Sequence, residues 1–158
     1  MKTNLRKQVE KELLDNYKKY YRLAYSYVRN EADALDIVQE SAYKAIKNCE
    51  SIKDADFITT WIHRIVINTA MDLLRRSQRA YETMEEETRE QGAVDTGYSE
   101  ADVMDMLSIL EEKDRSILIL RYFEGFGLEE IAAITNEKLS TVKSRLYRAL
   151  HKMRMKTG

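Results

Sequence analysis

The sequence predicts an all-α protein: two small helical domains joined by a flexible acidic linker, the second containing a helix-turn-helix. Three observations carry this. There is no proline, and the five glycines stand at 92, 97, 125, 127 and 158, so 91 residues pass before the first of them. The residues that build β-turns are therefore nearly missing from the first half. Apolar residues recur at three- and four-residue spacing through several long stretches, the period of an amphipathic helix. Charge is also segregated along the chain. Net charge is −1 overall, but residues 1–79 carry +4, residues 80–99 carry −5, residues 100–137 carry −7 and residues 138–158 carry +7.

The first helix is expected over residues 8–29, with Leu13, Leu14, Tyr17, Tyr20, Tyr21, Ala24, Tyr27 and Val28 on its apolar side. The tyrosines read as a core stripe with polar tips rather than as a stacking platform for bases. Asn30 ends that helix, and the next, over 31–49, has acids in its first turn, where the helix dipole favours them. Leu35, Val38, Ala42, Ala45, Ile46 and Cys49 form its expected buried face, with Cys49 read as a small hydrophobe. Asp33, Asp36, Gln39, Glu40, Tyr43, Lys44 and Lys47 face outward, either as a solvated surface or as a docking face for a basic partner.

A polar connection, residues 50–56, leads to a third helix from about Phe57 to Arg79. Phe57, Trp61, Ile65, Leu73 and Leu74 mark its apolar side. Arg64, Asn68, Asp72, Arg75, Arg76 and Arg79 form a polar stripe, with Asp72 expected to pair with Arg76. Arginines for phosphates and an asparagine for a base edge suit a nucleic-acid face. His63 beside the stripe reads as a surface or half-buried residue with no special role.

Residues 80–99 lose apolar periodicity and gain acid and glycine, which marks a linker. Twenty residues span ~66 Å extended and ~25 Å as a coil. The longer figure is about two turns of duplex DNA. Residues 100–158 form the second domain. One helix carries Ala101, Met104, Leu107 and Leu110, and another carries Ile117, Leu118, Leu120, Arg121 and Phe123. Gly125-Phe126-Gly127 makes a corner into the segment Leu128 to Arg154.

That segment has two apolar helical patterns flanking a short polar turn. The first holds Leu128, Ile131, Ala132 and Ile134; the second holds Leu139, Val142, Leu146 and Leu150. Asn136 sits where the chain must bend and tolerates a left-handed backbone. Ser140 or Thr141 suits the cap of the second helix. This is a helix-turn-helix with its second helix as reader. Lys143, Ser144, Tyr147, Arg148 and His151 share one face of it, opposite Val142, Leu146 and Leu150. Lys and Arg neutralise phosphates and bond guanine edges. The bland alternative is a solvated basic face favoured by the dipole of the helix.

Other functions are poorly served. Two distant histidines and one cysteine give no catalytic set, no metal-ligand spacing and no disulfide, and no Gly-rich phosphate loop or cofactor motif is present. The opening MKTNLRKQVEKELL is charged throughout, so no secretory leader is expected. No apolar run approaches the ~20 residues that a membrane span needs. A cytoplasmic, non-enzymatic protein is the expectation.

Four blocks together resemble one family. ADALDIVQESAYKAIKN, FITTWIHRIVINTAMDLLRR, LEEKDRSILILRYFEGFGLEEIAAIT and STVKSRLYRAL, in this order and spacing, are similar to bacterial RNA polymerase sigma factors of the small, two-domain extracytoplasmic-function class. The resemblance implies a stress-response factor that directs promoter-specific transcription initiation. Asp36, Gln39 and Glu40 match the motif that docks on core RNA polymerase. The connection 50–56 matches a loop that captures a flipped base of the −10 element. Arg64, Asn68, Arg75, Arg76 and Arg79 match the surface that melts and holds that element. Ser140, Thr141, Lys143, Ser144, Arg145 and Arg148 match the reader of the −35 element in promoter DNA. The acidic linker matches a segment that threads the RNA exit path. A membrane-anchored anti-sigma factor covering both domains is implied as a further partner. The family usually has Pro where this chain has Glu111, and Gly where it has Asn136. A repressor or activator acting without polymerase would account for the C-terminal domain, but not for the second basic surface or the acidic face of the second helix.

Overall fold

The computed structural model describes the backbone of residues 2–83 and 107–157 and the side chains of residues 4–77 and 107–154. Every regular element among them is helical. In chain order these are α1 (Lys2–Asp15), α2 (Tyr17–Val28), α3 (Glu31–Lys47), α4 (Ile58–Thr83), α5 (Glu112–Leu118), α6 (Leu128–Thr135) and α7 (Leu139–Thr157). Short 3₁₀ turns at Cys49–Ser51 and Ala55–Phe57 precede α4, and a π-helical stretch, Ile119–Phe123, prolongs α5.

The single helix expected over 8–29 is two helices. The backbone at Asn16 has φ −117° and ψ 23°, and its side-chain amide donates to the Glu12 carbonyl at 3.4 Å. An asparagine that bonds its own backbone competes with the helical ladder and turns the chain. The turn removes Leu14 and Tyr17 from the core, leaving them 80% and 44% exposed. Val9, Tyr20, Leu23, Ala24 and Tyr27 are buried instead. The next boundary falls where the sequence places it. Arg29 adopts a left-handed backbone (φ 52°), and the Asn30 side chain caps α3 by accepting from the Asp33 N–H at 3.1 Å.

On α3 the buried stripe is Ala34, Ile37, Val38, Ser41 and Ala45, with Cys49 just beyond. Leu35, expected inside, is 39% exposed. The small residues face α2 and α4, which lie closely against either side. On α4 the buried stripe is Ile58, Ile62, Val66, Ile67 and Ala70, joined by His63 and Thr69. Phe57, Trp61, Ile65, Leu73 and Leu74 are only partly buried, on its flank. α4 also runs to Thr83, past the expected end at Arg79. The rest of the expected acidic linker, with Ala101 and Met104, lies outside the described residues.

In the C-terminal half, Leu107, Leu110, Ile117, Leu118, Ile119, Leu120, Ile131, Ile134, Val142, Leu146 and Ala149 are buried. Asn136 has the left-handed backbone expected of it (φ 55°, ψ 42°) and joins α6 to α7. The helix-turn-helix is therefore present. α7 begins at Leu139, so Ser140 and Thr141 lie in its first turn and not ahead of it as a cap. Glu130 accepts from the Gly127 N–H at 3.1 Å at the start of α6.

The two halves rest on each other. α2 meets α5 and α4 meets α6, and the buried residues of both halves belong to one cluster. Burial of this kind is the main favourable term in folding, and here it joins residues far apart in sequence.

Candidate nucleic-acid interface

The reading helix α7 presents Ser140, Lys143, Ser144, Tyr147, Arg148 and His151 to the outside, while Val142, Leu146 and Ala149 face inward. Thr141 is half-buried. Its arginines are not free. Arg148 donates from Nε to Asp114 Oδ2 at 3.0 Å and from Nη2 to Asp114 Oδ1 at 2.8 Å. Arg145 donates from Nε to Glu137 Oε2 at 3.0 Å and reaches Asp114 Oδ1 at 3.4 Å. Asp114 is fully buried, so its charge depends on these partners. Its hydrogen bond raises the Arg148 guanidinium above its ordinary range. Sequence reasoning missed Asp114. A lone acid opening the apolar run Ile117 to Leu120 was the available signal.

The stripe on α4 splits in two. Asn68, Arg75 and Arg76 are exposed. Arg75 donates to Asp72 at 3.1 Å, so the expected Asp72–Arg76 pair is replaced by one at three-residue spacing. The Arg79 side chain lies outside the described residues. Arg64 is half-buried, donates from Nε to the Ala133 carbonyl of α6 at 2.7 Å, and lies 5.0 Å over the Phe57 ring. Arg64 and Asn68 line a cleft of about 510 Å³ between α4 and the turn of the helix-turn-helix, opposite Thr135, Asn136 and Glu137.

His63 departs furthest from its reading. It is 2% exposed and sits between the halves. Its Nδ1 faces the Thr59 carbonyl at 2.7 Å, and its Nε2 faces Glu124 Oε1 at 2.7 Å. The rings of Tyr20 and Phe126 lie 4.7 Å and 5.0 Å from it. Burial pushes the Tyr20 and Tyr27 hydroxyls well above the usual phenol range. Arg115, also buried, donates across the boundary to the Ser26 carbonyl and, at 2.9 Å, to the Leu110 carbonyl. Burial lowers the pKa of its guanidinium.

Two further surfaces lie on the N-terminal half. Asp36, Gln39 and Glu40 are exposed on α3, with Glu40 3.5 Å from Lys44 Nζ. Leu35 and Tyr43 are exposed beside them, so the face mixes acid with apolar surface. The connection before α4 forms a shallow cleft of about 320 Å³, lined by Ser51 to Asp54, Asp56, Phe57 and Trp61. Asp54 Oδ1 accepts from the Asp56 N–H at 3.0 Å and shapes its turn. Trp61, read as core, is half-buried and forms one wall. Among the described residues no cluster of His, Cys, Asp and Glu has metal-binding geometry, and no helix is long and apolar enough to cross a membrane.

Two family models match the chain: Sigma-70 region 2 over residues 13–80, and Sigma-70 region 4 over residues 100–153. The chain is 44% identical to RNA polymerase sigma factor SigV of Bacillus subtilis, covering 95% of this chain and 94% of that one. It is 32% identical to RNA polymerase sigma-E factor of Streptomyces coelicolor, over 84% of this chain and 76% of the relative. Among solved structures, the sigma factor RpoE of Bartonella quintana, in complex with the anti-sigma factor NepR, superposes with a TM-score of 0.77 at 25% identity, covering 92% of this chain and 94% of that one. CnrH, in complex with the cytosolic domain of CnrY, gives a TM-score of 0.70 at 23% identity, covering 93% and 85%, and shares the fold.

Proposed function

The chain belongs to the sigma-70 family of RNA polymerase sigma factors, of the extracytoplasmic-function group, and from that premise we propose how its residues divide the work of promoter-specific initiation. The protein directs core RNA polymerase to promoters. Phosphodiester chemistry stays with the polymerase. Residues 1–79 act as the core-docking and −10 domain, 80–99 as the connector, and 100–158 as the −35 domain.

Asp36, Gln39 and Glu40 dock on a basic surface of core polymerase, with Leu35 and Tyr43 adding apolar area to the contact. Charge brings the partner in, and the apolar pair is desolvated on binding. Lys143, Ser144 and Ser140 meet the −35 element in the major groove, where Lys bonds guanine and Ser either base type. Thr141 supports the first turn. Arg145 and Arg148 serve partly as anchors, fixing α7 on Asp114 while their outer nitrogens face phosphate. Arg64, Asn68, Arg75, Arg76 and Arg79 hold the opened −10 strand. The cleft beside Trp61 receives one unstacked base, with the indole as its stacking surface. The observation that carries this reading is the order of two surfaces on one chain: an acidic and apolar α3 face ahead of a basic α7 behind the Asn136 turn. Its structural relative RpoE is seen with an anti-sigma factor, and we infer a protein antagonist here as well, anchored at the membrane.

Run-off transcription with reconstituted core enzyme tests the division. Added protein should give defined start sites, and Lys143→Ala with Ser144→Ala should redistribute them among promoters that differ at −35. Unchanged promoter choice by that variant would overturn the α7 assignment without touching family membership.

A further inference from the structure

The His63–Glu124 contact contains a proton that separated partners would not hold. The Thr59 carbonyl can only accept, so at 2.7 Å the ring must carry its hydrogen on Nδ1. Nε2 then faces Glu124 Oε1, also at 2.7 Å. An ionised carboxylate is acceptor only, and the second nitrogen of a neutral ring with Nδ1–H is acceptor only. Two acceptors do not approach so closely. Either Nε2 carries a proton and the ring is imidazolium, or Glu124 carries it as the acid. Both descriptions count one proton more than neutral histidine plus carboxylate. The pair is inaccessible to water, with the two side chains 2% and 1% exposed.

The contact is placed where it controls access. His63 belongs to α4, one residue before Arg64, while Glu124 ends the π-helical stretch of the other half. Gly125, at φ 76°, reverses the chain immediately after it. That reversal returns Phe126 to the edge of the His63 ring. With the bridge formed, α6 covers α4, Arg64 bonds the Ala133 carbonyl, and Arg64 and Asn68 face the Thr135–Glu137 turn across the cleft. An opened DNA strand has no route to that face.

We infer that His63 and Glu124 are a proton-held latch: the bridge keeps the nucleic-acid face of α4 closed beneath α6, and release of one proton opens the two halves. The occluded face is the one assigned above, and the latch rests on that assignment only for its consequence. Opening converts the bridged pair to neutral histidine and carboxylate plus one proton, so charge and atoms balance. By linkage, the closed form, which binds the extra proton, is favoured at low pH and loses ground as pH rises. The other charged and titratable groups around the pair favour the same geometry. Glu12 of α1 accepts from the Tyr20 hydroxyl and from Thr59 Oγ1, Arg22 of α2 lies over Phe123, Arg121 donates to the Phe126 carbonyl, and Lys44 of α3 is bonded to Thr69. Glu124 Oε2 has no protein partner, so the bridge hangs on one oxygen.

Small-angle scattering of the full chain between about pH 6 and about pH 9, across the range where imidazole changes charge, tests the latch without DNA or polymerase. A compact chain of this length has a radius of gyration of about 15 Å, and the wild type should grow by at least roughly a fifth as pH rises. In Glu124→Gln the amide donates to Nε2 of neutral His63, so the bridge needs no extra proton. This variant should stay compact across the series. His63→Ala should be expanded throughout, with helicity by circular dichroism confirming that it folds. A wild-type radius that does not change with pH overturns the latch, and so does a Glu124→Gln variant that expands as the wild type does. Neither result touches the transcription assay above.

Discussion

Asp114 has both oxygens on Arg148 and one on Arg145, and none of its surface meets water. A buried carboxylate in this position keeps its charge only while those guanidiniums stay in place, so reading helix and buried acid hold each other. Asp114→Asn keeps the volume and removes the charge. It should cost about 1–3 kcal/mol, the worth of hydrogen bonds to a charged group, read as a lower urea midpoint with an unchanged slope. It should also weaken binding to −35 DNA by loosening α7, although Asp114 never touches the duplex. Equal stability of variant and wild type would show that the arginines do not depend on this acid.

At the scale of elements, the turn between α6 and α7 and the outer face of α3 each make a separate case. Asn136 has a left-handed backbone, which costs a residue with a Cβ roughly 1–2 kcal/mol unless its side chain is small and polar. Asn136→Ala should therefore lose about 1 kcal/mol in thermal or urea unfolding, while Asn136→Gly should sit close to the wild type. Equal losses in both would place the cost in lost side-chain bonds rather than in the backbone. The α3 face rests on surface chemistry alone. Asp36 is exposed and stands outside the buried stripe, so Asp36→Arg should leave melting within about 0.5 kcal/mol of wild type. The same variant should pull down less core polymerase, and undiminished capture would remove α3 from the docking surface.

For the molecule as a whole, the question is what holds the halves together. Three polar contacts span them, from His63, Arg64 and Arg115, inside a shared apolar cluster. Arg115→Met keeps the stem and removes the donors, leaving the Ser26 and Leu110 carbonyls unpaired. A loss of about 1–3 kcal/mol local to α2 and α5 should appear as roughly ten- to a hundredfold faster amide exchange there. Unchanged protection would show that the apolar cluster alone joins the halves. The sequence by itself determined a great deal: helices, because the 3.6-residue period and the lack of turn formers leave little else; the helix-turn-helix, because Asn136 stands between two apolar stripes; and the family, because four blocks keep their order. It misplaced Leu14, Tyr17 and Leu35, since periodicity gives a face but not its rotation, and one asparagine at 16 turns the helix. Only the tertiary structure decided the rest. Asp114 and Glu124 read as solvated charges, and His63 as idle, because a residue's partner 31 or 61 positions away leaves no mark on its own neighbourhood in the chain. Burial and pairing arise only when the helices assemble, and there these charges stop being surface and become the joints of the molecule.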